Sequence, residues 1–180
     1  MGWTVEPEVP ETLLHYSEDP SITLFTPHVP STNPTTRPAV WTIDPPRAPL
    51  YWFPRHCPRV TIWANTSQQL EQLQTLMQTT AWRVQVAPIE WAERIRCCGL
   101  YEYRFDPSAF EPWPEAEGQW IATTPQTPIS VVAVGDLMGR QASAGVELRL
   151  VDDLASIRKV VLDSNLPFSI VRHQSDRRPA

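Results

Sequence analysis

Short apolar runs, most of them about five residues long, alternate with proline-rich or polar breaks along the whole chain. Runs of that length, rich in β-branched and aromatic residues, predict strands. They fall at Thr12–Tyr16, Ala39–Ile43, Val60–Ala64, Trp82–Val86, Leu100–Phe105, Gly118–Ala122, Ile129–Val134, Val146–Val151 and Phe168–Arg172. In the fourth run Trp82, Val84 and Val86 alternate with polar residues and share one face. Helical spacing is rarer. Thr66 and Gln69 stand at capping-box distance, and Leu70, Leu73, Leu76 and Met77 predict the buried stripe of a helix reaching Thr79. Shorter helices are predicted near Ile89–Cys97, over Asp136–Ser143, and over Leu154–Asp163, the last capped by Asp153 and striped by Leu154, Ile157 and Val161. Asp44-Pro45 has the form of an N-cap followed by proline at the first helical position, and Pro49 and Pro54 keep that helix short. Pro27–Pro38, with four prolines among Ser, Thr and Asn, predicts a surface loop.

Strands outnumber helices, and helices do not follow every strand. The expectation is an α+β fold, with a mixed or antiparallel split sheet and short helices, rather than a regular βαβ chain. No repeat and no long linker divides the sequence. One compact domain is expected over 12–172, with a flexible tail over 1–11 and a polar tail over 173–180.

Composition narrows the function classes. With 180 residues, 42% apolar and 19% charged, the chain can bury its own core without a disulfide or metal staple. A net charge of −5 argues against bulk nucleic-acid binding, which needs a basic face. No apolar run approaches the length of a membrane span, and Met1–Pro10 is too polar for a signal peptide, so a soluble, cytoplasmic protein is expected. Cys57, Cys97 and Cys98 are odd in number and lack CxxC spacing, which fits reduced thiols better than a disulfide or zinc framework, and no metal site is expected. GxGxxG, GxxxxGK[ST], HExxH and GxSxG are all absent. With 6 glycines there is little material for a backbone phosphate cradle, so an anion must be held by side chains or a helix terminus.

Two places stand out chemically. Trp41–Trp63 interleaves Arg47, Arg55, His56 and Arg59 with Trp41, Tyr51, Trp52, Phe53 and Trp63. Arginine forks suit phosphate, and aromatic faces accept a flat base or amide. The competing reading is a proline-stiffened core corner with arginines on its surface. His15 lies inside an apolar strand, followed by the small hydroxyl residue Ser17 and a turn. It is either a hydrogen-bonded core residue or a ligand contact. Cys57 follows His56, but sequence neighbours rarely face one another, so a nucleophile and base pair is not expected there.

The stretches LLHYSEDPSITLFTP, AVWTIDPPRAPLYWFPRHCPRVTIWA, GLYEYRFDPSAFEPWPEAEGQW and GVELRLVDDL resemble a bacterial domain family of unknown function. The order of elements, a strand with histidine, a proline-rich loop, a strand, a short helix with tyrosine and a further strand, also resembles the first half of the ADP-ribosyltransferase fold. The strand GLYEYRF, the acidic loop DPSAFEPWPEAEG and the segment WIATTPQTPISVVAVGD resemble the small antibiotic-modifying transferases of that superfamily. This second resemblance implies NAD as cofactor, with His15 bonded to the ribose of the nicotinamide half and Tyr51 stacked on the nicotinamide ring. It implies a third, acidic residue, for which Glu111, Glu115 and Glu147 stay open; each could equally be a solvated surface charge. Ser17, Trp41 and Trp52 complete the expected binding set, and Arg55 or Arg59 is expected, from charge rather than from the family, to meet pyrophosphate. Tyr16 departs from the family, which often has a small residue beside the histidine. The expected activity is ADP-ribose transfer to an unidentified small-molecule or protein acceptor. The alternatives are a nucleotide- or anion-binding module of the same fold without turnover, and a protein-interaction domain.

Overall fold

The computed structural model describes residues 9–30 and 34–172, so most of both expected tails lies outside the described residues. The described chain forms two compact units. The first holds the residues up to Tyr51 together with Leu100–Val134; the second holds Trp52–Gly99 and the residues from Gly135 onward.

The first unit is built on an antiparallel six-stranded sheet. Its strands are β1 (Leu13–Ser17), β2 (Val40–Ile43), β5 (Tyr101–Phe105), β6 (Glu111–Pro112), β7 (Gln119–Ala122) and β8 (Ser130–Ala133), in the order β6-β7-β2-β1-β5-β8. Its core is aromatic. Phe25 meets Tyr103 and Phe105 edge-on at 5.0 and 5.2 Å, Phe105 meets Phe110 at 5.7 Å, and Leu13, Val40 and Trp120 close the cluster. The Tyr103 hydroxyl donates to the Asp19 carbonyl at 2.5 Å and accepts from Ile22 N at 3.2 Å, tying down the turn after β1. The ends of the long proline loop are joined by paired backbone bonds between His28 and Ala39, each 3.1 Å. After β2 the chain forms a 3₁₀ helix, Pro45–Tyr51. Asp44 caps it as the sequence predicts, its Oδ1 accepting from Arg47 N at 3.2 Å.

The second unit carries a mixed four-stranded sheet, β10-β3-β4-β9. It comprises β3 (Arg59–Trp63), β4 (Arg83–Pro88), β9 (Val146–Val151) and β10 (Phe168–Val171), with β4 and β9 parallel. Its helices are α1 (Ser67–Met77), α2 (Ala92–Cys97), α3 (Leu137–Ser143) and α4 (Ala155–Leu162). The core is aliphatic: Val60, Ile62, Leu73, Val84, Val86 and Val161 are all fully buried. Thr66 caps α1 through Gln69 N at 3.2 Å, while the Gln69 side chain returns to Asn65 N at 2.8 Å. Two sequence expectations shift here. Leu76 is 41% exposed because Leu70, Leu73 and Met77 already define the stripe, and at about 100° per residue Leu76 falls to its flank. Trp82 is 49% exposed while Val84 and Val86 are fully buried, because β4 begins at Arg83 and the pleat does not fix the ring before it. Fully buried Gln85 and Gln141 bond to each other at 3.0 Å, and Gln141 also donates to the Trp52 carbonyl at 3.3 Å. Among the described residues no helix is long and apolar enough to cross a membrane.

Candidate functional site

β1 crosses the middle of its sheet, between β2 and β5, so alternate side chains emerge on opposite faces. β1 pairs with β2 only at Leu14 and Ile43, and His15 reaches sideways toward β2, so His15 and Tyr16 both border the space beside the two strands. The His15 Nδ1 lies 2.8 Å from the Trp41 carbonyl on β2. A carbonyl only accepts, so Nδ1 donates in this contact. Phe25 packs edge-on against the same imidazole at 4.8 Å and fixes its plane.

Tyr51 ends the 3₁₀ helix and lies nearly parallel to Tyr16, with an interplanar angle of 11° and ring centroids 6.2 Å apart. Both hydroxyls are engaged. Tyr51 Oη accepts from Gln119 Nε2 at 3.3 Å, and Tyr16 donates to buried Glu102 at 2.9 Å. Glu102 also receives Arg104 at 2.9 Å.

The remaining wall comes from the turn joining β6 to β7. Trp113 N donates to the Gln119 carbonyl at 2.7 Å, closing a tight hairpin that carries Glu115 on its tip. Gly118 adopts φ +79° there, and a Cβ at that position would stand 2.3 Å from Arg47 Cδ, so the close approach as well as the turn requires glycine. Arg47 clamps the hairpin to the helix, reaching Asp44 at 2.5 Å and also pairing with Glu117. Burial pushes the Asp44 carboxyl up from its ordinary value, against the opposing pull of the Arg47 guanidinium.

These elements enclose a cavity of about 480 Å³ whose wall includes His15, Tyr16, Trp41, Tyr51, Trp113 and Glu115. The volume lies within the range of small-ligand sites. Trp113 meets Trp41 edge-on at 5.3 Å. The Trp41 Nε1–H is buried with no acceptor among the described residues. An adjoining cavity shares Trp113 and Gln119 with the first and is bordered by Arg47.

Four of the sequence-predicted residues thus line one cavity: His15, Trp41, Tyr51 and Glu115. The others lie elsewhere. Ser17 ends β1 and accepts from Asp19 N at 3.1 Å. Glu111, on β6, pairs with Arg37 and is exposed. Trp52, Arg55, Arg59 and Glu147 belong to the second unit. There Trp52 is buried with the Arg140 guanidinium 4.8 Å over its ring, and Arg55 is exposed. Arg59 donates to the Cys57 carbonyl at 3.1 Å beside the Phe53 ring. Glu147 accepts from Arg149 at 2.6 Å and from Thr79. Burial raises the Glu147 pKa, but these hydrogen bonds and the Arg149 charge outweigh it and hold the carboxyl below its ordinary value.

The sequence reading missed Trp113, Gln119 and the wall role of Tyr16. The signal for Trp113 was present, because Pro-Glu-Ala-Glu-Gly after it reads as a turn that returns the chain beside it. Nothing in the pattern marks Gln119. Among the described residues no cluster of three or more His, Cys, Asp or Glu could hold a metal ion.

No curated protein and no solved structure matches the chain. One family model covers residues 14–175, and on that match the chain belongs to the family of unknown function DUF6886.

Proposed function

We propose that the cavity of the first unit binds NAD and that the protein is an ADP-ribosyltransferase-like enzyme acting on an acceptor still to be identified. The observation that carries this reading is the meeting of His15, Tyr51 and Glu115 in one cavity wall, from three separate elements of the chain. A flat, electron-poor ring suits the tyrosine face, and a ribose hydroxyl suits the His15 imidazole. In the reaction the glycosidic bond at C1′ breaks, its electron pair leaves with neutral nicotinamide, and the acceptor forms the new bond to C1′. Glu115 is the carboxylate in this wall, so its role is to oppose the positive charge developing at C1′ and to take the acceptor's proton. Glu111 and Glu147 have structural ion-pair roles instead.

One observation favours a second reading. Among the described residues the cavity wall contains no arginine or lysine, and Arg47 in the adjoining cavity is already paired with two carboxylates. Pyrophosphate therefore lacks a ready cation in this unit, which suits a less charged ring-bearing ligand held without turnover.

Thermal unfolding with and without about 1 mM NAD tests both readings. A dissociation constant near 10 μM adds about 2.7 kcal/mol by mass action. For a chain of this length that is roughly 5–10 °C. The shift should vanish in His15→Ala while the variant stays folded. Nicotinamide release that stops in Glu115→Gln, with the shift retained, supports the enzyme. A shift without release supports the binding module, and no shift in the wild type removes NAD from consideration.

A further inference from the structure

The six-stranded sheet has two edges of opposite character. The β6 edge is two residues long and carries Glu111, ion-paired to Arg37, and Pro112, which has no N–H to offer. Charge, proline and brevity are the devices that keep an edge from recruiting another strand. The β8 edge is twice as long and carries neither charge nor proline within the strand. Ser130–Ala133 is exposed at every position, and Ile129, Val131 and Val132 are 68, 43 and 45% exposed. No charged residue occurs anywhere from Gly118 to Gly135.

The pairing with β5 fixes which backbone groups face outward. Val134 N donates to the Leu100 carbonyl at 2.8 Å, and the register continues with Glu102 opposite Val132. In an antiparallel ladder such pairs alternate, so Val132 bonds inward while Val131 and Ala133 turn their N–H and C=O groups to the open side. Exposed apolar side chains on both faces, flanking a row of outward donors and acceptors, specify an extended backbone as the partner.

We infer that β8 is a self-association edge, on which a second copy of this chain pairs its own β8 antiparallel across a two-fold axis. The register follows from the outward groups. Val131 exchanges both backbone bonds with Ala133 of the second copy, Ala133 does the same with Val131, and Val132 faces its own counterpart on the axis. A two-fold pairing sets each residue against its mirror position, which for a charged strand means like charges in opposition. This strand is uncharged throughout, so identical copies meet without repulsion, and the join extends an antiparallel sheet with the same hydrogen-bond pattern. The other sheet is less suited to this. Its β9 edge carries Glu147 and Arg149, and β10 is bracketed by Pro167 and Arg172.

A four-residue edge buries less than the roughly 1,200 Å² of a standard interface, so the dimer is weak, with dissociation on the order of tens of micromolar. Sedimentation equilibrium of the full chain from about 5 to about 500 μM brackets that range. The wild-type mass should climb from 20.5 kDa toward twice that value. Val132→Lys, which sets two ammonium groups face to face on the axis, and Ala133→Pro, which deletes one outward N–H, should each hold the mass at one chain throughout. Amide exchange gives a readout that needs no variant: Val131 and Ala133 should exchange at least tenfold more slowly at the high concentration than at the low one. A wild type that stays monomeric over the whole range overturns the inference and leaves the edge to a strand from a different protein. A dimer that survives in both folded variants, with exchange at Val131 and Ala133 unchanged, overturns it as well and moves the interface elsewhere.

Discussion

The two units solve the same problem with different side chains. The first fills its sheet with Phe25, Tyr103, Phe105, Phe110 and Trp120, while the second uses Val60, Ile62, Leu73, Val84, Val86 and Val161. Aromatic residues bring large area, but their geometry is specific and some carry a polar end that must be placed. In the first unit those ends fasten other segments of the chain: Tyr103 holds the turn after β1, Tyr16 bonds buried Glu102, and Tyr51 meets Gln119. Of these, Tyr16 and Tyr51 line the cavity. In the aliphatic unit the buried polar groups bond inward to one another, Gln85 to Gln141 and Gln141 to the Trp52 carbonyl. The aromatic hydroxyls fasten turns and strands of the first unit, whereas the buried amides of the second bond to each other.

The sharpest way to separate the units is to hollow out each core in turn. Phe105→Ala should cost about 3–5 kcal/mol and Ile62→Ala about 2–5 kcal/mol, both as a transfer loss plus a cavity. Their effects on the site should differ. Phe105 supports Phe25, which fixes the imidazole of His15, so loss of Phe105 should also weaken any ligand-induced stabilisation. Ile62→Ala should leave it intact. Equal weakening by both variants would break the distinction. Chemical unfolding with and without ligand supplies both numbers.

A smaller effect tests the sealed polar pair. Gln141→Leu removes the acceptor of the Gln85 Nε2–H in a fully buried place and should cost about 1–3 kcal/mol. Gln85→Leu combined with Gln141→Leu removes both partners and should recover part of that loss. A double variant less stable than the sum of the singles would show that the amides do more than satisfy each other.

The smallest effect is a pH dependence. The folded Glu147 carboxyl lies below its ordinary value, so it binds its proton less readily than in the unfolded chain. Its stabilising contribution is present above the unfolded value of about 4.5 and is lost as pH falls through that value toward the folded one. Glu147→Gln should flatten that acid limb, by less than about 1 kcal/mol because the pair is partly solvated. Comparing urea midpoints of the two proteins at pH 6 and at pH 3.5 checks the sign.

Much of the fold could be read in advance because its signals are local. Alternation and β-branching mark the strands, and Thr66, Asp44 and Asp136 announce helix starts with side-chain caps that the structure contains. β6 escaped because Glu-Pro has neither length nor apolar pattern; tertiary pairing with Ile121 and Trp120 makes it a strand. At the cavity, His15 and Tyr51 could be located from the order of elements, whereas Tyr16 and Gln119 enter through side-chain geometry that no pattern encodes. Arg55 and Arg59 illustrate the opposite hazard. They follow Tyr51 closely in sequence, but the chain passes into the second unit at Trp52, and Arg59 is occupied there by Phe53 and the Cys57 carbonyl.

Cys57 has a practical consequence of its own. It is fully buried, and burial pushes its thiol up to about 12, against an opposing pull from Arg59. Because the thiolate is the nucleophile, a folded second unit hides this sulfur from alkylating reagents twice over, by access and by ionisation. Exposed Cys97 offers a surface comparison on the same unit, although its hydrogen bond to Glu93 also holds that thiol above its ordinary value. The ratio of labelling at the two sulfurs is therefore a built-in stopwatch, ticking at Cys57 only when the second unit opens and timing that opening without any added probe.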